Sequence, residues 1–260
     1  MSSPIAVFDS GLGGLTVLRA LQERLPHEDF LYFADTRFLP YGDKPETFLR
    51  QRGVTISQAL EARGAKALVI ACNTATATAA EAIRAATRLP VVALEPGVKP
   101  AAALSKSGII GVLATTRTLQ SERFGRLVGK HANHLKVLAQ ACPGLAEAIE
   151  SEGPGSPAVA ALLDLFVAPL AAANADVVVL GCTHYPWVAA AIARRMPPGV
   201  TLLDTGEPVA RQLERLLAAG GLLGGGRGRL SVATSGAPLA VTATVDRLWG
   251  AKMHVEHWEP

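Results

Sequence analysis

The sequence predicts an α/β protein made of two similar domains, each with a mostly parallel sheet flanked by helices. Short apolar runs alternate with longer segments of helical periodicity along the 260 residues. Strands that are apolar throughout are buried on both faces, which is typical of parallel sheets covered by helices. A weak internal repeat supports two domains: residues 69–74 and 179–184 each contain an apolar run, a small residue, a cysteine and two polar residues.

The first part of the chain predicts four strands and three helices. The strands are short apolar runs at residues 5–8, 30–34, 67–71 and 91–94. A helix follows the first strand because leucines recur at helical spacing, at Leu15, Leu18, Leu21 and Leu25. Further helices are predicted over residues 46–63, which Gly64 closes, and over residues 73–88.

The rest of the chain continues this alternation. Apolar runs predict strands at residues 109–113, 135–139, 177–181, 202–203 and 230–233. Helical periodicity predicts helices near residues 117–130, 156–173, 187–196, 207–219 and 238–248. Strands separated by helices in this way indicate parallel βαβ units.

Two breaks in the pattern suggest where the domains meet. The Glu95-Pro96-Gly97 tripeptide and residues 204–208 both carry turn-forming residues. We therefore assign residues 1–96 with 208–260 to one domain and residues 97–207 to the other, and we expect the active site in the cleft between them. The glycine-rich residues 224–228 lack the Lys-Ser/Thr pair of a phosphate-binding loop, so we interpret them as a mobile surface turn.

Composition excludes several classes of protein. Hydrophobic residues make up 49% and charged residues 18% of the chain, and the formal net charge is +3. Without a block of like charges we expect no nucleic-acid or membrane partner, and no apolar run approaches the ~20 residues that cross a bilayer. The start of the chain lacks a secretory pattern, and 3 cysteines are too few for a disulfide framework. We expect a cytoplasmic protein.

Polar residues follow four of the predicted strands, where open parallel sheets bind ligands. These clusters are Asp9-Ser10, Cys72-Asn73-Thr74, Thr115-Thr116 with Thr118, and Cys182-Thr183-His184. The two cysteines each precede a predicted helix, whose N-terminus would lower the pKa of a thiol. A buried, inert thiol is the competing interpretation for each of them, and we prefer it for Cys142, which precedes Pro143 in an apparent loop.

The neighbouring polar residues also allow two interpretations. Asp9 is either a simple helix cap or a group that orients and relays protons for a nearby thiol. His184 is either structural or shares a proton with Cys182 near neutral pH. The cysteine spacing predicts no zinc site, and none of the lysines lies in a cluster where a pyridoxal cofactor would attach, so we expect no cofactor.

Taken together, these motifs resemble the glutamate racemases of the cofactor-independent aspartate/glutamate racemase family. The similarity runs from residue 5 to about residue 208 through five segments in order: Asp9-Ser10-Gly11-Leu12-Gly13-Gly14, Pro40-Tyr41-Gly42, Cys72-Asn73-Thr74-Ala75, Glu95-Pro96-Gly97 and Gly181-Cys182-Thr183-His184-Tyr185-Pro186. The resemblance implies interconversion of L- and D-glutamate to supply D-glutamate for peptidoglycan, and it implies a homodimer.

The resemblance also implies a role for individual residues. Cys72 and Cys182 would be the two acid/base thiols, with Asp9 assisting Cys72, and with His184 and Glu150 assisting Cys182. Glu147 and Glu152 lie in the same stretch as Glu150 and compete for its role. The implied substrate-binding residues are Asp9, Ser10, Tyr41, Gly42, Asn73, Thr74, Thr115, Thr118, Thr183 and His184.

Three alternatives remain open at this point. An aspartate racemase would use the same paired thiols on a shorter substrate. A thiol hydrolase would use Cys182 as nucleophile and His184 as base, which leaves Cys72 unexplained. A non-catalytic binding protein would close over an amino acid without inverting it.

Overall fold

The computed structural model describes residues 3–260, which fold into two compact units. One unit contains the chain through Leu94 together with Gly206–Pro260, and the other contains Glu95–Thr205. Every strand pairing in the described residues is parallel, so the predicted α/β class with two parallel sheets is confirmed.

Seven elements precede the first crossing between the units. In chain order they are β1 (Ile5–Asp9), α1 (Leu15–Arg24), β2 (Phe30–Ala34), α2 (Glu46–Ala62), β3 (Ala67–Ile70), α3 (Asn73–Ala86) and β4 (Val91–Ala93). Two short 3₁₀ turns, Thr36–Phe38 and Tyr41–Asp43, lie between β2 and α2.

The second unit contains ten elements and a 3₁₀ turn. They are α4 (Val98–Leu104), β5 (Ile109–Ala114), α5 (Thr116–Gln120), α6 (Glu122–His131), β6 (Lys136–Ala141), α7 (Leu145–Ser151), α8 (Pro157–Ala172), β7 (Val177–Gly181), α9 (Ala189–Ala193) and β8 (Thr201–Leu203). The 3₁₀ turn Tyr185–Val188 lies between β7 and α9. The chain then completes the first unit with α10 (Gly206–Ala219), β9 (Leu230–Thr234), α11 (Pro238–Trp249) and β10 (Val255–His257).

The first unit is built on a six-stranded sheet in the order β10-β9-β2-β1-β3-β4. All residues of β1, β2 and β3 are buried, because helices cover both faces of the sheet. One face packs against α2 and α3 through a cluster that includes Phe8, Phe33, Ile56 and Ile83. The carboxyl ends of β1 and β3 are neighbours in this sheet, which places the residues after them side by side.

The second unit has a four-stranded sheet in the order β6-β5-β7-β8. Alternate residues of its central strands enter two separate cores, one containing Leu113 and Leu180, the other Val112 and Val179. Gly111 in β5 makes room for α8, because a Cβ atom there would lie 2.4 Å from Cδ2 of Leu170. The central strands β5 and β7 again present their carboxyl ends together.

Two predicted helices differ from the observed elements. The helix expected over residues 117–130 is split into α5 and α6, because Ser121 has an extended backbone and its Oγ accepts a hydrogen bond from the Phe124 N–H. The helix expected over residues 187–196 is a 3₁₀ turn with Pro186 in its first turn, followed by the five residues of α9.

We expect the glycine-rich residues 224–228 to form a mobile surface turn, but their backbone is hydrogen-bonded to the side chains of Glu28, Lys66 and Asp29. Glu28 Oε1 accepts a hydrogen bond from the Gly224 N–H at 2.6 Å, and Lys66 Nζ donates to the carbonyl of Gly224 at 2.8 Å. Asp29 Oδ1 accepts from the Arg227 N–H at 2.8 Å. None of the helices within residues 3–260 is long and apolar enough to cross a membrane.

Candidate active site

Cys72 lies just beyond the end of β3 and caps the N-terminus of α3. Its Sγ accepts a hydrogen bond from the Ala75 N–H at 3.4 Å, and the side chain is buried. A backbone donor at the start of a helix favours negative charge on the sulfur. Cys72 therefore directly precedes a helix in the structure, as the sequence predicts.

Asp9 is the last residue of the neighbouring strand β1 and Ser10 follows it, so both lie near Cys72. Ser10 Oγ lies 3.2 Å from Cys72 Sγ. The Asp9 carboxylate is fully buried, with Oδ1 accepting from the Ser10 N–H at 2.8 Å and Oδ2 from the Gly14 N–H at 2.7 Å. Residue 14 is closely surrounded, because a Cβ atom there would lie 3.0 Å from both Asp9 Oδ2 and the Ala71 carbonyl oxygen, so a larger residue would have to displace them. Asp9 is thus a fixed charge beside the residue that contacts the thiol.

Asn73 supplies an unused polar group at this strand end. Its side chain is 4% exposed, and within residues 3–260 neither the amide oxygen nor the amide nitrogen has a hydrogen-bond partner. Buried amides are nearly always hydrogen-bonded, so an unmatched one beside Cys72 indicates a polar ligand or water at this position. Thr74, the next residue, is also buried.

Tyr41 and Gly42 form the 3₁₀ turn Tyr41–Asp43 in the same unit. Tyr41 is buried in the cluster that contains Cys72 and Ala75, and its Oη donates to Asp35 Oδ2 at 2.5 Å. Burial raises the pKa of Tyr41 well above its usual value, and the charge and hydrogen bond of Asp35 raise it further. The phenol therefore remains protonated and keeps donating to Asp35.

Cys182 follows β7 in the second unit, and its supporting groups are different. Cys182 Sγ lies 3.5 Å from Nδ1 of His184, and His184 Nε2 lies 2.6 Å from Oε1 of Glu150. Both Cys182 and His184 are buried. The sequence predicted a helix N-terminus directly after this cysteine, but only a 3₁₀ turn follows it. An imidazole and a carboxylate occupy the supporting role here.

The proton affinity of His184 is set by these two neighbours. Burial alone would lower the pKa of His184, but hydrogen bonds to Cys182 and Glu150 and the negative charges of both groups raise it well above its usual value. A charged imidazole between a carboxylate and a sulfur can stabilise a thiolate or return a proton to it.

The predicted threonines of the second unit occupy two different places. Thr115 caps α5 directly after β5, with its Oγ1 accepting from the Thr118 N–H at 3.3 Å and donating to Thr118 Oγ1 at 2.9 Å. Thr183 lies between Cys182 and His184 and is buried. In each unit, the predicted cysteine and the polar residues next to it therefore lie at the carboxyl ends of central strands, while Tyr41 and Gly42 lie in the turn between β2 and α2, and Glu150 lies in α7.

Cys142 lies in a loop, as the sequence indicates, but this loop joins β6 to α7, a strand-to-helix setting that we did not expect for it and that Cys72 shares. Burial raises the pKa of the Cys142 thiol to about 12, so it stays protonated at neutral pH. The sulfur donates toward the carbonyl of Gln140 at 3.5 Å.

Three residues that support the site were missed from the sequence: Tyr32, Asp35 and Arg52. Tyr32 Oη lies 3.0 Å from Asp9 Oδ2 and 2.9 Å from the Gly11 carbonyl oxygen. A tyrosine inside an otherwise apolar strand was the available signal, because a buried hydroxyl needs a partner. Asp35 and Arg52 carry no local signal that pairs them.

The sequence and fold of this chain are similar to those of known racemases. A family model described as Asp/Glu/hydantoin racemase matches residues 17–213. The chain is 52% identical over 220 residues to a glutamate racemase from Methylococcus capsulatus, covering 85% of this chain and 81% of the relative.

Two crystal structures of glutamate racemases have the same fold. The enzyme from Bacillus anthracis matches with a TM-score of 0.88 and 30% identity, covering 99% of this chain and 97% of that chain. The enzyme from Francisella tularensis, in complex with D-glutamate, matches with a TM-score of 0.86 and 28% identity, covering 99% and 98%. This chain belongs to the Asp/Glu/hydantoin racemase family.

Proposed function

We propose that this chain interconverts L- and D-glutamate and that Cys72 and Cys182 are its two acid/base groups. The observation that carries this proposal is the pair of buried thiols, each at the carboxyl end of a central strand and each with its own polar support. Racemisation removes the α-proton from one face of the carbon and delivers a proton to the other face. Two thiols, one ionised and one protonated, can do this and then exchange roles in the reverse direction.

The supporting groups have distinct proposed tasks. At Cys72 the Ala75 N–H and Ser10 stabilise the sulfur, while Asp9 orients Ser10 and relays protons for the thiol. At Cys182 the Glu150 carboxylate holds His184 in its charged form, and His184 exchanges a proton with the sulfur. The 2.6 Å contact of Glu150 with His184 favours Glu150 over Glu147 and Glu152 for this task.

The α-proton of an amino acid is far less acidic than a thiol, so developing negative charge must be stabilised by fixed dipoles. We propose that the unmatched amide of Asn73 is one of these dipoles. The remaining substrate contacts would come from the polar groups predicted above, namely Asp9, Ser10, Tyr41, Gly42, Thr74, Thr115, Thr118, Thr183 and His184. The proton transfer itself is assigned to the two thiols.

Glutamate is the proposed substrate because the relatives that share about half of the sequence are glutamate racemases. Circular dichroism of purified protein with L-glutamate, without added pyridoxal phosphate or metal, tests this directly. We expect the optical signal to decay to zero, with no decay when Cys72→Ser or Cys182→Ser replaces the parent.

L-Aspartate is the matched control for substrate length. Decay with aspartate and a flat trace with glutamate would reassign the activity to an aspartate racemase. A flat trace with both amino acids from folded protein would overturn the enzymatic proposal and favour a binding protein.

We further propose that the chain acts as a cytoplasmic homodimer that supplies D-glutamate for peptidoglycan. All three cysteines are free thiols, which fits a reducing compartment. Light scattering on the purified protein tests the dimer, and rescue of a strain that requires D-glutamate tests the cellular role.

A further inference from the structure

A buried ion pair between Asp35 and Arg52 lies next to the turn that carries Tyr41. Arg52 of α2 contacts both carboxylate oxygens of Asp35: its Nε is 2.9 Å from Oδ2, and its second terminal nitrogen is 2.7 Å from Oδ1. The side chains of Arg52 and Asp35 are only 10% and 0% exposed. The same Asp35 Oδ2 also accepts a hydrogen bond from the Tyr41 hydroxyl.

The last residues of the chain complete the surroundings of Arg52. The remaining terminal nitrogen of Arg52 donates to the Pro260 carbonyl oxygen at 2.9 Å, and Arg37 pairs with Glu259. The Arg52 guanidinium also lies over the Phe38 ring, 4.7 Å from its centroid. A buried arginine with this many partners is fixed in one geometry.

Tyr41 connects this ion pair to the catalytic thiol. Its ring belongs to the buried cluster that also contains Cys72 and Ala75, and it meets Phe8 edge-on at 6.4 Å between centroids. The contacts therefore run from Pro260 through Arg52 and Asp35 to Tyr41, and from there to the start of α3. Each step is a short hydrogen bond or a buried contact.

We propose that Asp35 and Arg52 are positioning residues for the reaction, holding the Tyr41-Gly42 turn in place against the Cys72 end of α3. This inference rests on the proposed function, in which Tyr41 and Gly42 bind substrate and Cys72 moves the proton. Neither Asp35 nor Arg52 needs to touch the substrate for this. Their effect comes through Tyr41, because a displacement of about 1 Å in a binding group can cost roughly 100-fold in rate.

Three substitutions separate positioning from general stability: Arg52→Met removes the charge, Arg52→Lys keeps it without the paired contacts, and Tyr41→Phe removes one oxygen atom. In folded protein we expect Arg52→Met and Tyr41→Phe to raise KM for glutamate about tenfold, the size of one charge-assisted hydrogen bond. Arg52→Lys should restore part of the loss. Adding Tyr41→Phe to Arg52→Met should raise KM little further, because both act on one chain of contacts.

Arg50→Met is the matched control. Arg50 is on the same helix, two residues earlier in the sequence, and pairs with Glu46 while both side chains remain exposed. We expect its KM and kcat to equal those of the parent. Amide hydrogen exchange of residues 39–44 should rise in Arg52→Met and Tyr41→Phe but not in Arg50→Met.

The two proposals fail in different ways. A parent protein that does not invert glutamate overturns the proposed function, and the exchange of residues 39–44 then still decides whether the ion pair holds the turn. An active parent with unchanged KM in Tyr41→Phe and in folded Arg52→Met overturns the positioning role. Should Arg52→Met fail to fold, Arg52→Lys decides, because it keeps the charge beside Asp35 but lacks the paired contacts, and an unchanged KM in that variant overturns the positioning role.

Discussion

Cys72 and Cys182 occupy matching strand ends but are supported by different chemistry. Cys72 has a helix N-terminus, a serine hydroxyl and a buried aspartate nearby, and its support consists of fixed donors and a fixed charge. Cys182 instead contacts the imidazole of His184, which is hydrogen-bonded to the Glu150 carboxylate. At the level of single residues, the two halves of the proposed reaction therefore rely on different groups, and only the Cys182 half includes a histidine.

The pH dependence of stability tests the His184–Glu150 pair. The pKa of His184 is raised in the folded protein above the ~6.5 of an unfolded histidine. Its contribution to stability is therefore fully present below about pH 6.5 and is lost as pH rises through the raised pKa. We expect Glu150→Gln to reduce this loss, as measured by urea unfolding across a pH series.

Glu152→Gln is the control for that series, because Glu152 is an exposed carboxylate near the end of the same helix. Its stability should follow the parent curve. Identical slopes above pH 6.5 in the parent and Glu150→Gln would show that His184 does not hold an extra proton through Glu150.

Residue types at the strand ends could be predicted from the sequence, but their partners could not. Cys72 and Cys182 could be identified as candidates because each follows an apolar run and a small residue and precedes two polar residues. The pairing of Asp35 with Arg52 and of Arg52 with Pro260 depends on how distant segments fold together, and no local pattern encodes it. Glu150 was ambiguous among three glutamates until its contact with His184 was known.

Secondary structure elements set where these residues can lie. Fully buried strands such as β1 and β7 were predictable, because burial on both faces leaves an uninterrupted apolar run. Short elements such as β10 and α7 were missed, and the break between α5 and α6 depends on a single serine cap at Ser121. Local capping outweighed the helical periodicity there.

Glycine substitutions test the packing of two elements in opposite directions. We expect Gly111→Ala to destabilise the protein by about 1–3 kcal/mol, because the new Cβ would lie 2.4 Å from Leu170 Cδ2. Gly125→Ala should instead stabilise it by about 0.5–1 kcal/mol, because Gly125 lies inside α6 with no atom within 4 Å of a new Cβ. Urea unfolding of both variants measures the difference; a stabilised Gly111→Ala would contradict this description of β5, and a destabilised Gly125→Ala would contradict that of α6.

At the scale of the whole molecule, we propose one acid/base thiol in each of the two units, Cys72 in one and Cys182 in the other. Each unit has its own sheet and its own buried clusters, and the chain passes between the units twice. The proposed reaction requires both thiols to act on one substrate molecule, one removing a proton and the other supplying one. The central claim is therefore about two separate proton sources.

Racemisation of L-glutamate in D₂O, followed at early times by mass spectrometry of the separated enantiomers, tests that claim most directly. The account predicts that newly formed D-glutamate carries deuterium at the α-carbon, while the remaining L-glutamate still carries the original proton. This follows because the thiol that receives the substrate proton differs from the thiol that delivers solvent deuterium. D-Glutamate that retains the substrate proton, or L-glutamate that gains deuterium as fast as product forms, would contradict a two-thiol mechanism.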